Sequence, residues 1–563
     1  MRAIPRVSKP SHRAGVVMVL FAMILVVLIG LMGLVIDGGF LMSSHRQAQN
    51  TADAAALAAA FEKYRGRSNS DARTAADDFV DQNGLTTLPA LVDGTSFNIP
   101  PSTGPYAGNS KYVEVILTVP VQSLFIQILG GPGSNDVTAR AVAGFEAVAA
   151  GEGVMVLDRA ATPGLSVSGG GRIRVNGRVT VNSEGGGVDE VGVTVAPASD
   201  LPTGSNALTA QVQGNNQSPP QGIYATWLDV VGGVQSTSVA NIYPYAPPGQ
   251  GPPVGEPSPL HARALPEPDP LIQLPTPTTG SGVDATDYAG SNNYRGSVAI
   301  SSNNATGDIG NGYVAGRNSK ITNADVTGNN LPQVLDNTGT SVFTGVSPAA
   351  FQAGDVILYP GIYGSVSITG GRTFFVPGIY VLSPKQNTAN VFSVGGSVNG
   401  STTIVGRGVM FYNTGNSYNP ANGNPDANDG EAAPASNNNF GDGTSYVGGF
   451  TVSKDVHLSP IDTTKYAYAT YYDNARAVSA EFDGMLFYQR RRNASTFSIT
   501  GNASDGSMTG TVYAKWALFQ LAGSGSYDAQ FIVGSLAASG GADITILAAG
   551  SQRGRANQVF LVE

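Results

Sequence analysis

The chain has 563 residues, enough for roughly two to four domains and a large core. Only 13% of residues are charged, the net charge is −9, and no large cationic block lies beyond the extreme N-terminus. That balance argues against nucleic acid as a partner, because phosphate binding needs a concentrated Lys/Arg surface. The absence of cysteine excludes disulfides, thiolate metal sites and cysteine nucleophiles. With 73 glycines, 34 prolines and 41% hydrophobic residues, the composition predicts a folded chain of short strands joined by tight turns.

Arg2, Arg6, Lys9 and Arg13 make a basic head, residues 1–13, with no acid in it. Ala14 to Ile36 follows as 23 residues without a charge. At about 1.5 Å per residue this run spans a ~30 Å hydrocarbon layer. It is longer than the usual ~7–15 residues of a cleavable signal, and no small-residue cleavage site follows promptly. The positive-inside rule places the head in the cytoplasm and the rest outside a bacterial inner membrane. Arg13 and Asp37 then mark the two faces of the bilayer.

The helical signal continues past Asp37. Phe40 to Arg65 is proline-free and alanine-rich, so Ala14–Arg65 reads as one long helix. Ala48, Ala52, Ala56 and Ala60 recur at i, i+4 and form a ridge of small residues. Such a ridge lets a partner helix approach closely, and it equally reflects alanine's high helix propensity. A second amphipathic helix is expected from Ser70 to Asn83, with Ala72, Ala75, Ala76, Phe79 and Val80 on one side. VEVILTVPVQSLFIQILGG (113–131) then predicts a strand and a short apolar segment, and VTARAVAGF (137–145) a closing strand.

The wording of these elements is similar to the N-terminal region of TadG-like and TadE-like Flp pilus-assembly proteins. Arg13-Ala14-Gly15, Asp37-Gly38-Gly39, Gln49 and Ala52-Asp53-Ala54-Ala55-Ala56-Leu57-Ala58 carry the resemblance, which extends over about the first 150 residues. It implies a membrane-anchored component of Flp (tight-adherence) pilus assembly or a related secretion system. Pseudopilins of this kind carry a Glu five residues beyond the cleaved Gly. Here Gly15 precedes Val16-Val17-Met18-Val19-Leu20, so the helix is expected to remain as an anchor.

Residues 37–150 therefore read as a TadE/TadG-like α+β region and 151–563 as a β-rich ectodomain. A von Willebrand A domain is rejected, because Ala160 stands where the first hydroxyl after Asp158 is needed. LSVSGGGRIRVNGRVTVNSEGGG (165–187) alternates apolar and polar residues around turns. Pro-Gly-Ile-Tyr occurs at 360 and again at 377, an offset of 17 residues. Repetition of this kind favours a parallel β-helix or solenoid, with a β-sandwich as the alternative. The PGIY segments, GMLFYQRR (484–491) and GTVYAK (510–515) also resemble C-terminal regions of TadG-related proteins. Two interruptions stand out. Residues 244–277 hold twelve prolines, predicting an extended segment without a core pattern. Residues 413–443 are Asn/Gly/Asp-rich, predicting a solvent loop or lid.

No catalytic constellation emerges. His12, His45, His261 and His457 are scattered, and no nucleophile elbow or phosphate loop is present. In DANDGE, Gly430 and Glu431 fall at the wrong places for a calcium loop, so a polar turn is expected. Asp473, Glu481 and Asp483 with Arg490-Arg491-Arg492 are the candidates for a lyase centre. The arginines read more simply as an exposed edge that resists aggregation. The expectation is a non-enzymatic protein without cofactors, whose partners are the lipid bilayer and Tad/Flp pilus-assembly or secretion proteins. The runner-up is a membrane-anchored β-helix adhesin that binds surface polysaccharide.

Overall fold

The computed structural model describes residues 14–64, 68–86, 88–123, 125–129, 131–149, 152–211, 218–288, 290, 294–343, 350–395, 403–431, 433–434, 440–452, 456–500, 508–541, 543–547 and 555–562. The basic head with Arg13 lies outside them. The chain divides into two compact units, Met1–Ala147 with Asn557–Glu563, and Val148–Ala556. The last seven residues, expected in the ectodomain, thus belong with the N-terminal unit, so the large unit is an insertion into the smaller one.

In the first unit, α1 runs unbroken over Ala14–Tyr64. From Val17 to Ile36 its apolar side chains are mostly open to the outside, and the helix is long and apolar enough to cross a membrane. Beyond that stretch the helix becomes a core element. Ala48, Ala52, Ala55, Ala56, Ala59 and Ala60 are fully buried. They pack against α2 (Asn69–Gln82) and against the strands β2 (Tyr112–Gln122) and β3 (Ser134–Ala149). The second helix starts earlier than predicted, because Ser68 forms a capping box with Asp71. Only Ala72, Ala76 and Val80 of its predicted face are buried; Phe79 stays exposed. β1 (Phe97–Asn98), β2, β3 and the closing strand Arg555–Leu561 make a four-stranded sheet in that order.

The large unit is mostly β and is dominated by parallel pairing. One ladder runs Gly361–Tyr363, Tyr380–Leu382, Phe411–Asn413, Phe487–Gln489, Val512–Tyr513, Phe531–Val533, Val154–Val156, Val179–Val181, Leu228–Val230 and Leu260–Ala262. A second joins Val298–Ile300, Val366–Ile368, Phe392–Val394, Phe450–Val452, Phe497–Ile499, Phe519–Leu521, Leu536–Ala538, Leu165–Val167 and Leu208–Ala210. The order is not the chain order: Phe531 pairs with Val154 and Leu536 with Leu165, so the end of this unit joins its beginning.

Register stacks like on like. Phe392, Phe450, Phe497 and Phe519 succeed one another in the second ladder, with ring centroids 4.7–5.8 Å apart. Strands buried on both faces explain why segments such as VILYPGIY lack alternation. The inner faces share one apolar core. The outer faces of several strands form a second, with Leu271, Leu274, Val283, Tyr418 and Phe482 laid over them.

The Pro-Gly-Ile-Tyr repeats have a backbone cause. Gly361 and Gly378 adopt φ of +154° and +144°, a region that strains any side chain. A Cβ on Gly378 would lie 2.4 Å from Pro360 Cγ, so one repeat seats on the proline of the last. The Tyr380 hydroxyl then lies 2.8 Å from the carbonyls of both Val376 and Leu358, which share its single proton.

The two interruptions are pinned rather than free. Within the proline-rich segment, Asp269 Oδ2 accepts from Tyr513 Oη at 2.7 Å and Lys515 Nζ at 3.0 Å. Leu271 and Leu274, unremarkable among so many prolines, are buried. In the Asn/Gly-rich loop, Tyr418, Asp426, Asp429 and Phe440 are buried, so its described part is no solvent lid.

Candidate functional site

Three places carry chemistry: the exit of α1 from its apolar half, an ion-pair knot, and an exposed aromatic pair.

Asp37 ends the apolar half of α1, yet it is only 5% exposed. Its Oδ2 accepts from the backbone N–H groups of Phe125 at 2.9 Å and Ile126 at 2.8 Å. These are the first amides of a short 3₁₀ turn, Ile126–Leu129, which otherwise leaves such donors unsatisfied. One helical turn earlier, Gly33 lets Phe125 lie against the helix: a Cβ there would stand 2.5 Å from Phe125 Cβ. Sequence reasoning found Asp37 as a boundary and missed this latch, because the partners are amides 88 and 89 positions away.

The motif residues beyond the exit are structural. Gln49 Nε2 donates to Asp53 Oδ1 at 2.8 Å and to the Arg140 carbonyl at 2.9 Å, tying α1 to β3. The ridge of Ala48, Ala52, Ala56 and Ala60 faces α2 and the sheet of its own unit, so the small residues serve close packing inside the chain. Beneath them Glu114 is buried. It accepts from Arg140 Nε at 2.7 Å, Asn98 Nδ2 at 2.7 Å and Ser102 N at 3.0 Å. Burial alone would raise its pKa, but these bonds and that of the Ser102 hydroxyl hold it at about 2.

In the large unit Arg490 is fully buried, not exposed as the triple arginine suggested. It donates to both oxygens of Asp429, at 2.7 and 2.8 Å, and its Nη2 reaches Asp442 Oδ2 at 2.5 Å. Asp426 stands 3.2 Å from its Nε. Arg491 is buried too and donates to the Leu271 and Leu274 carbonyls at 2.9 and 2.6 Å. Desolvation raises the Asp426 pKa to about 6, against the opposing pull of Arg490, Thr414 and Tyr412. The DANDGE turn therefore supplies anions to an arginine. The proposed lyase carboxylates do not gather on it: Asp473 is exposed, and Asp483 accepts from Thr463 N and Oγ1 at 2.8 and 2.9 Å. Among the described residues no group of three or more His, Asp or Glu is placed to hold a metal.

Trp227 is 47% exposed and stacks on His261, centroids 3.8 Å apart. Its Nε1 donates to Asp229 at 2.9 Å, and Arg178 joins Asp229 to Glu267 at 2.8 and 3.0 Å. The sequence shows only a lone Trp here; the strand register sets His261 opposite Asp229, which shares a strand face with Trp227.

Residues 15–62 match the putative Flp pilus-assembly TadE/G-like family. The TadE/G-like match covers the length of α1 almost end to end, including the Asp37 latch and the Gln49–Asp53 pair. It stops short of the first 150 residues that carry the resemblance, and it does not extend to the PGIY segments or the C-terminal region. No curated protein and no solved structure matches the chain. The TadE/G-like segment and its exposed apolar helix together support single-pass membrane anchoring and a role in pilus assembly.

Proposed function

We propose that the protein is a single-pass inner-membrane component of Flp pilus assembly, or of a related secretion system, which works by anchoring and association. The observation that carries this reading is the coincidence of the TadE/G-like match with a helix apolar on all sides from Val17 to Ile36. The acid-free basic head favours a cytoplasmic N-terminus and an external large unit. The unbroken parallel ladders and like-on-like aromatic stacking support a parallel β-helix for that unit. Its buried cations Arg295, Arg490 and Lys515 are held in internal ion pairs, which favours a structural over a catalytic role for them. Appearance of new reducing ends or unsaturated products from acidic polysaccharides would overturn the non-enzymatic reading.

A second reading, a membrane-anchored adhesin that binds carbohydrate, is favoured by the exposed Trp227–His261 pair with Asp229, Arg178 and Glu267 beside it. An aromatic surface bordered by hydrogen-bonding groups suits a sugar ring. A deletion strain separates the two: loss of pili supports assembly, whereas normal pili with lost attachment supports adhesion.

A further inference from the structure

The contact between α1 and the 3₁₀ turn has a consequence for where the first unit meets lipid. Gly33 lies inside the apolar run Ala14–Ile36, and Phe125 rests directly on it. If that run occupies the hydrocarbon layer, a residue lying on Gly33 sits about 4–5 Å inside Ile36, at 1.5 Å per residue. Phe125 and Ile126 are half-exposed beside an outward-facing apolar helix, and the segment reads SLFIQILGG.

We infer that the turn Phe125–Leu129 forms a second, interfacial membrane contact, a wedge dipped into the outer boundary of the bilayer beside α1 and held there by Asp37. The partner is a lipid surface, argued from continuity with the membrane-spanning helix. The inference rests on that helix being a membrane anchor.

Irregular backbone enters lipid only when its polar groups are satisfied. Several polar groups of this turn are partnered. The N–H groups of Phe125 and Ile126 end on Asp37. Gly131 N donates to the Ile126 carbonyl at 2.9 Å, and Ser123 N to Gly133 at 3.1 Å. Asp37 gains as well, since a carboxylate near hydrocarbon is costly unless its oxygens are hydrogen-bonded. The one polar side chain of the 3₁₀ turn, Gln127, bends back to the Gly133 carbonyl at 3.0 Å.

Because the chain has no cysteine, single-cysteine nitroxide labels report depth without background. The full chain is reconstituted into phosphatidylethanolamine–phosphatidylglycerol vesicles with Ile24→Cys, Ile126→Cys or Asp93→Cys. Collision with oxygen is then compared with collision with a water-soluble nickel chelate. The expected oxygen-to-nickel ratio at 126 is several-fold above that at 93 and approaches that at 24. A ratio at 126 equal to that at 93, with 24 still in lipid, overturns the wedge alone. Water accessibility at 24 as well overturns the anchor and the wedge together. Adding Asp37→Ala to the Ile126→Cys chain should lower the ratio at 126 while leaving that at 24 unchanged; no change would remove Asp37 from the inference.

Discussion

Arg490 donates to both carboxylate oxygens of Asp429 across 61 positions of sequence, at 2.7 and 2.8 Å, with neither side chain more than 2% exposed. A two-pronged, charge-assisted pair of this kind fixes direction as well as distance. It fastens the Asn/Gly-rich loop to the strand Met485–Gln489 just before it.

Removing one partner leaves the other charges buried and unpaired. Arg490→Ala should therefore cost about 3–5 kcal/mol of stability, read as a lowered denaturant midpoint of the full chain. Cleavage within 413–443 by added protease should accelerate in parallel. Arg490→Lys should rescue little, since an ammonium lacks the planar fork. An unshifted midpoint in Arg490→Ala would sink the fastening role.

Two carboxylates, Asp426 and Glu114, should respond to acid in opposite senses. Asp426 is held at about 6, above its usual 3.8. Its contribution is thus complete below about pH 4 and is lost as pH rises through 6. Glu114 is held at about 2, below its usual 4.5. Its contribution is present above pH 4.5 and is lost as pH falls towards 2. Stability profiles of Asp426→Asn and Glu114→Gln against the parent should differ in these two windows. A flat difference in either window refutes that assignment.

Overfilling the alanine ridge should hurt the smaller unit directly. Ala52 and Ala56 have no exposed surface, so Ala52→Leu or Ala56→Leu should cost about 1–3 kcal/mol. The measurement is protease resistance of residues 37–147 in detergent-solubilised protein. If both variants resist as the parent does and instead lose a bound partner, the ridge faces outward in the assembled state.

Gly378→Ala meets two obstacles at once, φ of +144° and Pro360 Cγ at 2.4 Å. A loss of about 1–3 kcal/mol is expected. Gly222→Ala should behave alike, with φ of +140° and the Asn241 carbonyl 2.1 Å away. Gly251→Ala is the control, because nothing lies within 4 Å of its Cβ position and its φ is not left-handed.

N-terminal sequencing of the membrane-bound protein should find no chain beginning at Val16. Such a chain would mean that cleavage after Gly15 proceeds without an acid at Leu20, and the permanent-anchor reading would fall.

The helices were legible because their signals are local. A charge-free run, an alanine-rich continuation and a capped amphipathic segment each announce themselves within a few turns. The sheet of the smaller unit was partly legible from alternation in VEVILTV, but its fourth strand comes from the far end of the chain. Arg490–Arg492 misled because three adjacent cations normally need water. The counter-charges of Arg490 lie 48 to 64 positions back, in a loop with no apolar period to mark it as packed. A third copy of the repeat, Gly222-Ile223-Tyr224, escaped notice for want of its proline. Its tyrosine nonetheless bonds the carbonyl four residues back, Pro220, at 2.6 Å, as Tyr380 does with Val376.

The pairing of Phe531 with Val154 also sets a timetable. The first strands of the large unit are made early, and their neighbours on one side arrive more than 370 residues later. Until then the newborn chain carries a raw parallel edge able to accept any passing strand. The smaller unit waits in the same way for Arg555–Leu561. Both units close like a clasp on the last part of the chain, so a product released before Phe531 leaves an open seam in each.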